Sequence, residues 1–137
     1  MDDIIKTDKL SKQFKTTKAL DQVSMSIPGA IYGLIGNNGA GKTTLMSILA
    51  KLQEQTSGSV SKKKNLKIGA LIETPAFYPM LSAYGNLKYQ KEISGDGETA
   101  VKKLLAMAGL TDSKKPVRYY SLGMKQRLGV AMALVGN

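Results

Sequence analysis

The sequence predicts an α/β fold organised around a phosphate-binding loop, and three adjoining observations carry that prediction. Residues Gly36-Asn37-Asn38-Gly39-Ala40-Gly41-Lys42-Thr43-Thr44 fit the pattern G-x-x-x-x-G-K-[ST] at every position. Ahead of them, Ala30-Ile31-Tyr32-Gly33-Leu34-Ile35 is a short apolar run that suits a buried strand. Behind them, Leu45, Ile48, Leu49 and Leu52 fall at i, i+3, i+4 and i+7, the stripe of an amphipathic helix. A loop held between a strand and a helix is the placement that phosphate binding requires. An ordinary glycine-rich turn would not account for both flanks.

The chemistry follows from the residue types. Glycines let backbone N–H groups turn inward around phosphate oxygens, because no side chain blocks the approach. The backbone from Asn38 to Lys42 is the expected cradle. Lys42 adds a point charge for the β- and γ-phosphates, and the Thr43 hydroxyl, with Thr44 beside it, is placed for phosphate and Mg²⁺. The helix that follows aims its positive end at the same anion.

The flanking elements are read in chain order. Val23, Met25 and Ile27 alternate with Ser24 and Ser26, which predicts a half-buried strand in a β-rich N-terminal region. Pro28-Gly29 predicts a turn. Gln55 to Gly58 read as a loop, Ser59-Val60-Ser61 as a short strand, and Lys62 to Asn65 as a polar turn. Leu66 to Ile72 read as a further strand, ending at Glu73. Pro75 and Pro79 interrupt the chain, and helical signals dominate from Ser82 to Gly109. There Val101, Leu104, Leu105 and Ala108 repeat the helical stripe, and Gly109 is placed as the C-terminal stop. Pro116 ends that region, and a third helix starts at Leu122 with Leu128, Met132 and Val135 on one face. Core packing accounts for these stripes.

Composition narrows the classes. A chain of 137 residues with 42% apolar content is one domain or less with enough material for a core. No apolar run approaches the roughly 18 residues of a membrane span. Met1-Asp2-Asp3 is unlike a secretory signal. There is no cysteine, hence no disulfide or thiolate metal site, and no histidine, the commonest general base. The net charge of +10 is spread over scattered lysines, including Lys62 to Lys64, which read as a solvated surface. Nothing after Asp112 is acidic.

Several elements together resemble one family. Tyr120-Ser121-Leu122-Gly123-Met124-Lys125-Gln126-Arg127 resembles the L-S-G-G-Q-x-Q-R signature of ATP-binding cassette (ABC) ATPases, and it follows a helical insertion as it does there. Phe14 resembles the aromatic that stacks on adenine, and Ile72-Glu73 falls where the family has its Q-loop. The resemblance covers essentially the whole chain. Two departures stand out: Glu73 replaces the usual glutamine, and the signature reads S-L-G-M in place of S-G-G-Q. Leu71 to Tyr78 looks like the subgroup serving bacitracin-type and lantibiotic self-protection exporters.

The resemblance implies a P-loop NTPase core with a β-rich edge and a helical subdomain, the N-terminal part of an ABC nucleotide-binding domain. The implied divisions are a core over residues 1–74, a helical subdomain over 75–118, and the signature with its helix over 119–137. It implies ATP and Mg²⁺ as cofactors, with Phe14 on adenine, Gly36 to Thr44 on the phosphates, and Thr43 and Glu73 at the metal. Lys42 and Glu73 are the implied catalytic residues. Ser121 and Gly123 would serve ATP held by a second nucleotide-binding subunit in a head-to-tail dimer. A transmembrane permease subunit is the other implied partner, placing the protein peripherally on the cytoplasmic face of the membrane. Export of an antimicrobial peptide or drug is the implied task, with no nucleic acid involved. The family continues into a Walker B strand carrying acidic catalytic groups, and none follows the signature here, so the chain reads as a fragment expected to hydrolyse ATP negligibly by itself. A ribosome- or DNA-directed ABC ATPase and a non-hydrolysing nucleotide-binding remnant are the competing readings.

Overall fold

The computed structural model describes residues 2–97, 100–110 and 114–136. It divides into two compact units, Met1–Leu66 and Lys67–Asn137.

The first unit is a three-stranded antiparallel sheet with a helix against it. Strand β1 (Asp3–Phe14) and strand β2 (Thr17–Pro28) form a long hairpin, paired from Asp3 with Pro28 to Phe14 with Thr17. Helix α1 (Lys42–Leu49) comes next, then strand β3 (Ser57–Lys62), which pairs with the other edge of β1. The sheet order is therefore β2-β1-β3. The predicted alternation in β2 is observed: Val23, Met25 and Ile27 are half-buried, and Ser24 and Ser26 are exposed. Buried Thr7 stitches the hairpin, donating to the Val23 carbonyl at 2.9 Å and accepting from the Met25 N–H at 3.1 Å. Leu10 and Leu20 from the sheet form the core with Leu45 and Ile48 of α1.

The stripe behind the loop is shorter than expected. Leu52 is 70% exposed because α1 ends at Leu49. Lys51 takes a left-handed φ of 59°, with its N–H bonded to the Ile48 carbonyl and the Leu52 N–H to the Ser47 carbonyl. That paired closure is a Schellman stop, and it turns the chain out of the helix before Leu52 can join the buried face. The strands expected at 30–35 and 66–72 are also absent as paired strands among the described residues. Ile31 and Ile35 are almost fully exposed. An apolar run supplies a face for a strand, but a ladder also needs a neighbour's N–H and C=O groups.

The second unit is helical. It holds α2 (Ala83–Ser94), α3 (Val101–Met107), a 3₁₀ turn (Val117–Tyr119) and α4 (Leu122–Ala133). Ser82 caps α2 by accepting from the Gly85 N–H at 3.1 Å, and Gly95, at φ 67°, ends it. Gly109, at φ 62°, follows α3 as predicted. Val101, Leu104 and Leu105 are buried with Leu87, Val117, Tyr120 and Leu128 in one cluster, and Met132 and Val135 pack against it. The Val117 N–H bonds the Leu81 carbonyl at 2.9 Å and the Arg118 N–H bonds the Pro79 carbonyl at 3.0 Å, so the run before α4 is tied to the run before α2.

Candidate nucleotide site

The loop from Gly36 to Gly41 is shaped by its own backbone. The Ala40 N–H bonds the Asn37 carbonyl at 3.1 Å, and Gly39 and Gly41 sit at φ 84° and 86°. Gly41 is the N-cap of α1 and offers no side chain to it, and the first turn carries no acid. Among the described residues no side chain caps the leading amides of α1, at the positive end of the helix dipole. Lys42 is the first helical residue. Its ammonium folds back over the loop and donates to the Gly36 carbonyl at 2.6 Å and the Asn37 carbonyl at 2.7 Å. Thr43 is exposed and Thr44 half-buried. Gly36, Asn37, Asn38, Gly39, Ala40, Gly41 and Lys42 are thus brought into one turn that ends in a cation and a helix N-terminus. Such a turn can hold an anion with several oxygens.

Gly41 is needed for a second reason. A Cβ there would lie 2.4 Å from the Ala19 carbonyl oxygen and 2.9 Å from Leu20 Cδ2. The base of the loop therefore rests directly on β2. Phe14 closes β1 on the same hairpin, 41% exposed, with Lys12 Nζ 5.1 Å from its ring centroid. Lys12 was not among the residues singled out from sequence. The available signal was its spacing, since i and i+2 share a strand face.

At the far end of α1, Lys62 donates to the Leu49 carbonyl, placing a cation where the helix dipole favours one. Burial, and then the nearby positive charge of Lys51, hold its ammonium pKa below the ordinary lysine value.

The remaining candidates lie in the second unit. Glu73 is exposed, at φ 61°, in an irregular run, so it does not end a paired strand as expected. Ser121 is the N-cap of α4 and accepts from the Met124 N–H at 3.3 Å. Gly123 lies in the first turn of α4, is exposed, and a Cβ added there would meet no atom of the described residues within 4 Å. Among the described residues no group of three His, Cys, Asp or Glu side chains could hold a metal ion, and no helix is long and apolar enough to cross a membrane.

An α/β unit with a G-x-x-x-x-G-K-T loop leading into a helix defines a P-loop nucleotide-binding fold. The sequence profile of the ABC transporter family matches residues 20–137, and the chain belongs to that family. It is 43% identical over 143 residues to the lantibiotic transport ATP-binding protein SrtF of Streptococcus pyogenes, covering 98% of this chain and 62% of that protein. It is 40% identical over 148 residues to the bacitracin transport ATP-binding protein BcrA of Enterococcus faecalis, covering 98% of this chain and 48% of that protein. The chain thus spans about half to three-fifths of these relatives' length. Among solved structures it is similar to the dimeric ABC transporter cassette MJ0796, with TM-score 0.83 at 26% identity over 98% of this chain and 70% of that one. A post-hydrolysis dimer of the same cassette, bound to ADP and Pi, matches with TM-score 0.83 at 24% identity.

Proposed function

We propose that the chain is the ATP-binding part of an ABC exporter, coupling ATP binding and hydrolysis to transport of an antimicrobial peptide or drug. The observation that carries this is the loop from Gly36 to Thr44, with Lys42 drawn over the Gly36 and Asn37 carbonyls and α1 uncapped behind it. The residues fit a polyphosphate. Incoming phosphate oxygens can take over the Lys42 ammonium from the two carbonyls, and the amides from Asn38 to Lys42 can turn toward the same oxygens. Mg²⁺ would come with the nucleotide, held by its phosphates and the Thr43 hydroxyl, because such a cation keeps several waters and takes few protein ligands. Glu73 would stand in for the usual Q-loop glutamine at that metal. Phe14 would stack on adenine.

The family and the names of the relatives support the wider assignment. SrtF and BcrA are transport ATP-binding proteins for a lantibiotic and for bacitracin. The similar cassette was solved as a dimer. By that likeness Ser121 and Gly123 would act on ATP bound by a second subunit, and a separate permease would hold the protein at the inner face of the membrane. The open space around Gly123 favours this, since no described residue of the chain asks for glycine there. Residues 1–74, 75–118 and 119–137 would then be core, helical subdomain and signature segment. Titration of the chain with a fluorescent ATP analogue, with and without Mg²⁺, tests the binding step. Failure to bind at millimolar nucleotide would overturn it.

A further inference from the structure

Lys12 and Phe14 are two residues apart on β1, and the Lys12 ammonium stands over the Phe14 ring. The Lys12 ammonium is fixed there from another direction as well. It donates to the Glu54 carbonyl at 2.6 Å while standing 5.1 Å from the Phe14 ring centroid. Residues 54–56 are themselves held to β1. The Gln13 N–H donates to Thr56 Oγ1 at 3.0 Å, and the Thr56 N–H donates to the Ser11 carbonyl at 2.9 Å. Three hydrogen bonds thus bind Ser11, Lys12 and Gln13 to the segment that follows α1.

From this arrangement we infer that Lys12 is a positioning residue for nucleobase binding: anchored on the Glu54 carbonyl, it occupies one face of the Phe14 ring and presents the other to the base. The inference rests on Phe14 being the base-stacking residue. A cation over one face draws on the ring's π-density and leaves the opposite face electron-poorer, which suits an electron-rich purine. It also limits the ring's motion at the end of an exposed hairpin, so less freedom is lost when the base arrives. Residues 54–56 follow the Schellman stop of α1, whose other end is Lys42, so the anchor lies on the chain segment that leaves the phosphate-loop helix.

The experiment compares the 137-residue chain with Lys12→Gln, Lys12→Arg and Phe14→Ala, titrating each with ATP and with inorganic tripolyphosphate. Circular dichroism checks that each variant is folded, as expected for exposed or half-exposed side chains. Phe14→Ala should weaken ATP and leave tripolyphosphate unchanged; if ATP is unaffected, base stacking on Phe14 is wrong and the inference goes with it. Lys12→Gln should weaken ATP about twofold to fivefold, the range of an exposed cation–π contact, again with tripolyphosphate unchanged. Lys12→Arg should restore ATP affinity, because a guanidinium both stacks and donates. If Phe14→Ala weakens ATP while Lys12→Gln does not, the role of Lys12 is refuted with base stacking intact. Equal losses for ATP and tripolyphosphate would make Lys12 a simple electrostatic contributor, and a gain in ATP affinity would make it a competitor for the ring. Either result overturns the inference.

Discussion

The Gly41 backbone lies against the Ala19 carbonyl so closely that a single methyl group at Gly41 would come within 2.4 Å of that oxygen. This contact seats the phosphate loop on the hairpin that carries Phe14. Gly39 makes a useful comparison, since it has nearly the same φ but open space around it. Alanine at either position takes on left-handed strain of about 1–2 kcal/mol. Only Gly41→Ala must also move β2 or the loop. We expect Gly41→Ala to lower stability more than Gly39→Ala in urea titrations. Equal losses would mean that the contact with β2 is soft.

Lys42 tests the phosphate assignment. A charge-assisted contact is worth about 1.5–3 kcal/mol, so Lys42→Ala should weaken Mg·ATP binding roughly tenfold to a hundredfold. The substitution also frees the Gly36 and Asn37 carbonyls, which can bond to water instead because Lys42 bonds them in an exposed position. Little loss of stability should accompany the loss of affinity. Unchanged affinity would remove Lys42 from the site.

Asn86 is a buried polar residue whose side chain organises the run entering α2. It accepts from the Tyr78 N–H at 2.8 Å and donates to the Tyr78 carbonyl at 3.1 Å and the Ser82 carbonyl at 3.0 Å. Asn86→Leu keeps the branched shape but strands the Tyr78 N–H, while the two carbonyls keep the Leu81 and Asn86 backbone N–H groups as donors; the stranded group should cost about 1–3 kcal/mol. Thermal unfolding measures it. A neutral result would show that water reaches the Tyr78 N–H without cost.

Ser121 and Gly123 separate a local role from an intersubunit one. Ser121→Ala removes the bond to the Met124 N–H and should destabilise α4 by about 1 kcal/mol. Ser121→Asp keeps a capping oxygen, so stability should hold. If Ser121 faces a partner's γ-phosphate, however, the added negative charge should abolish ATPase activity in a full-length dimer. Mixing full-length Lys42→Ala with Ser121→Asp then rebuilds one undamaged composite site, and partial activity should return. No recovery would place Ser121 in its own subunit's site. Gly123→Ala meets no neighbour and should not reduce the stability of the chain, so any loss of activity would report on the interface.

The features legible in the sequence were those decided within a few residues. The glycine pattern from Gly36 to Gly41 sets a turn, Gly109 stops α3, Ser121 caps α4, and Val101, Leu104 and Leu105 mark a buried face, because each depends on local backbone freedom or helical spacing. Tertiary structure decided what depends on a second segment. Leu52 continued the helical period, yet the closure at Lys51 turned it out to solvent. Residues 30–35 and 66–72 had strand composition but no ladder among the described residues, since pairing belongs to two segments and composition to one. The central place of β1 between β2 and β3, the rest of Gly41 on Ala19 and the hold of Glu54 on Lys12 all join residues whose separation in sequence carries no record of their distance in space.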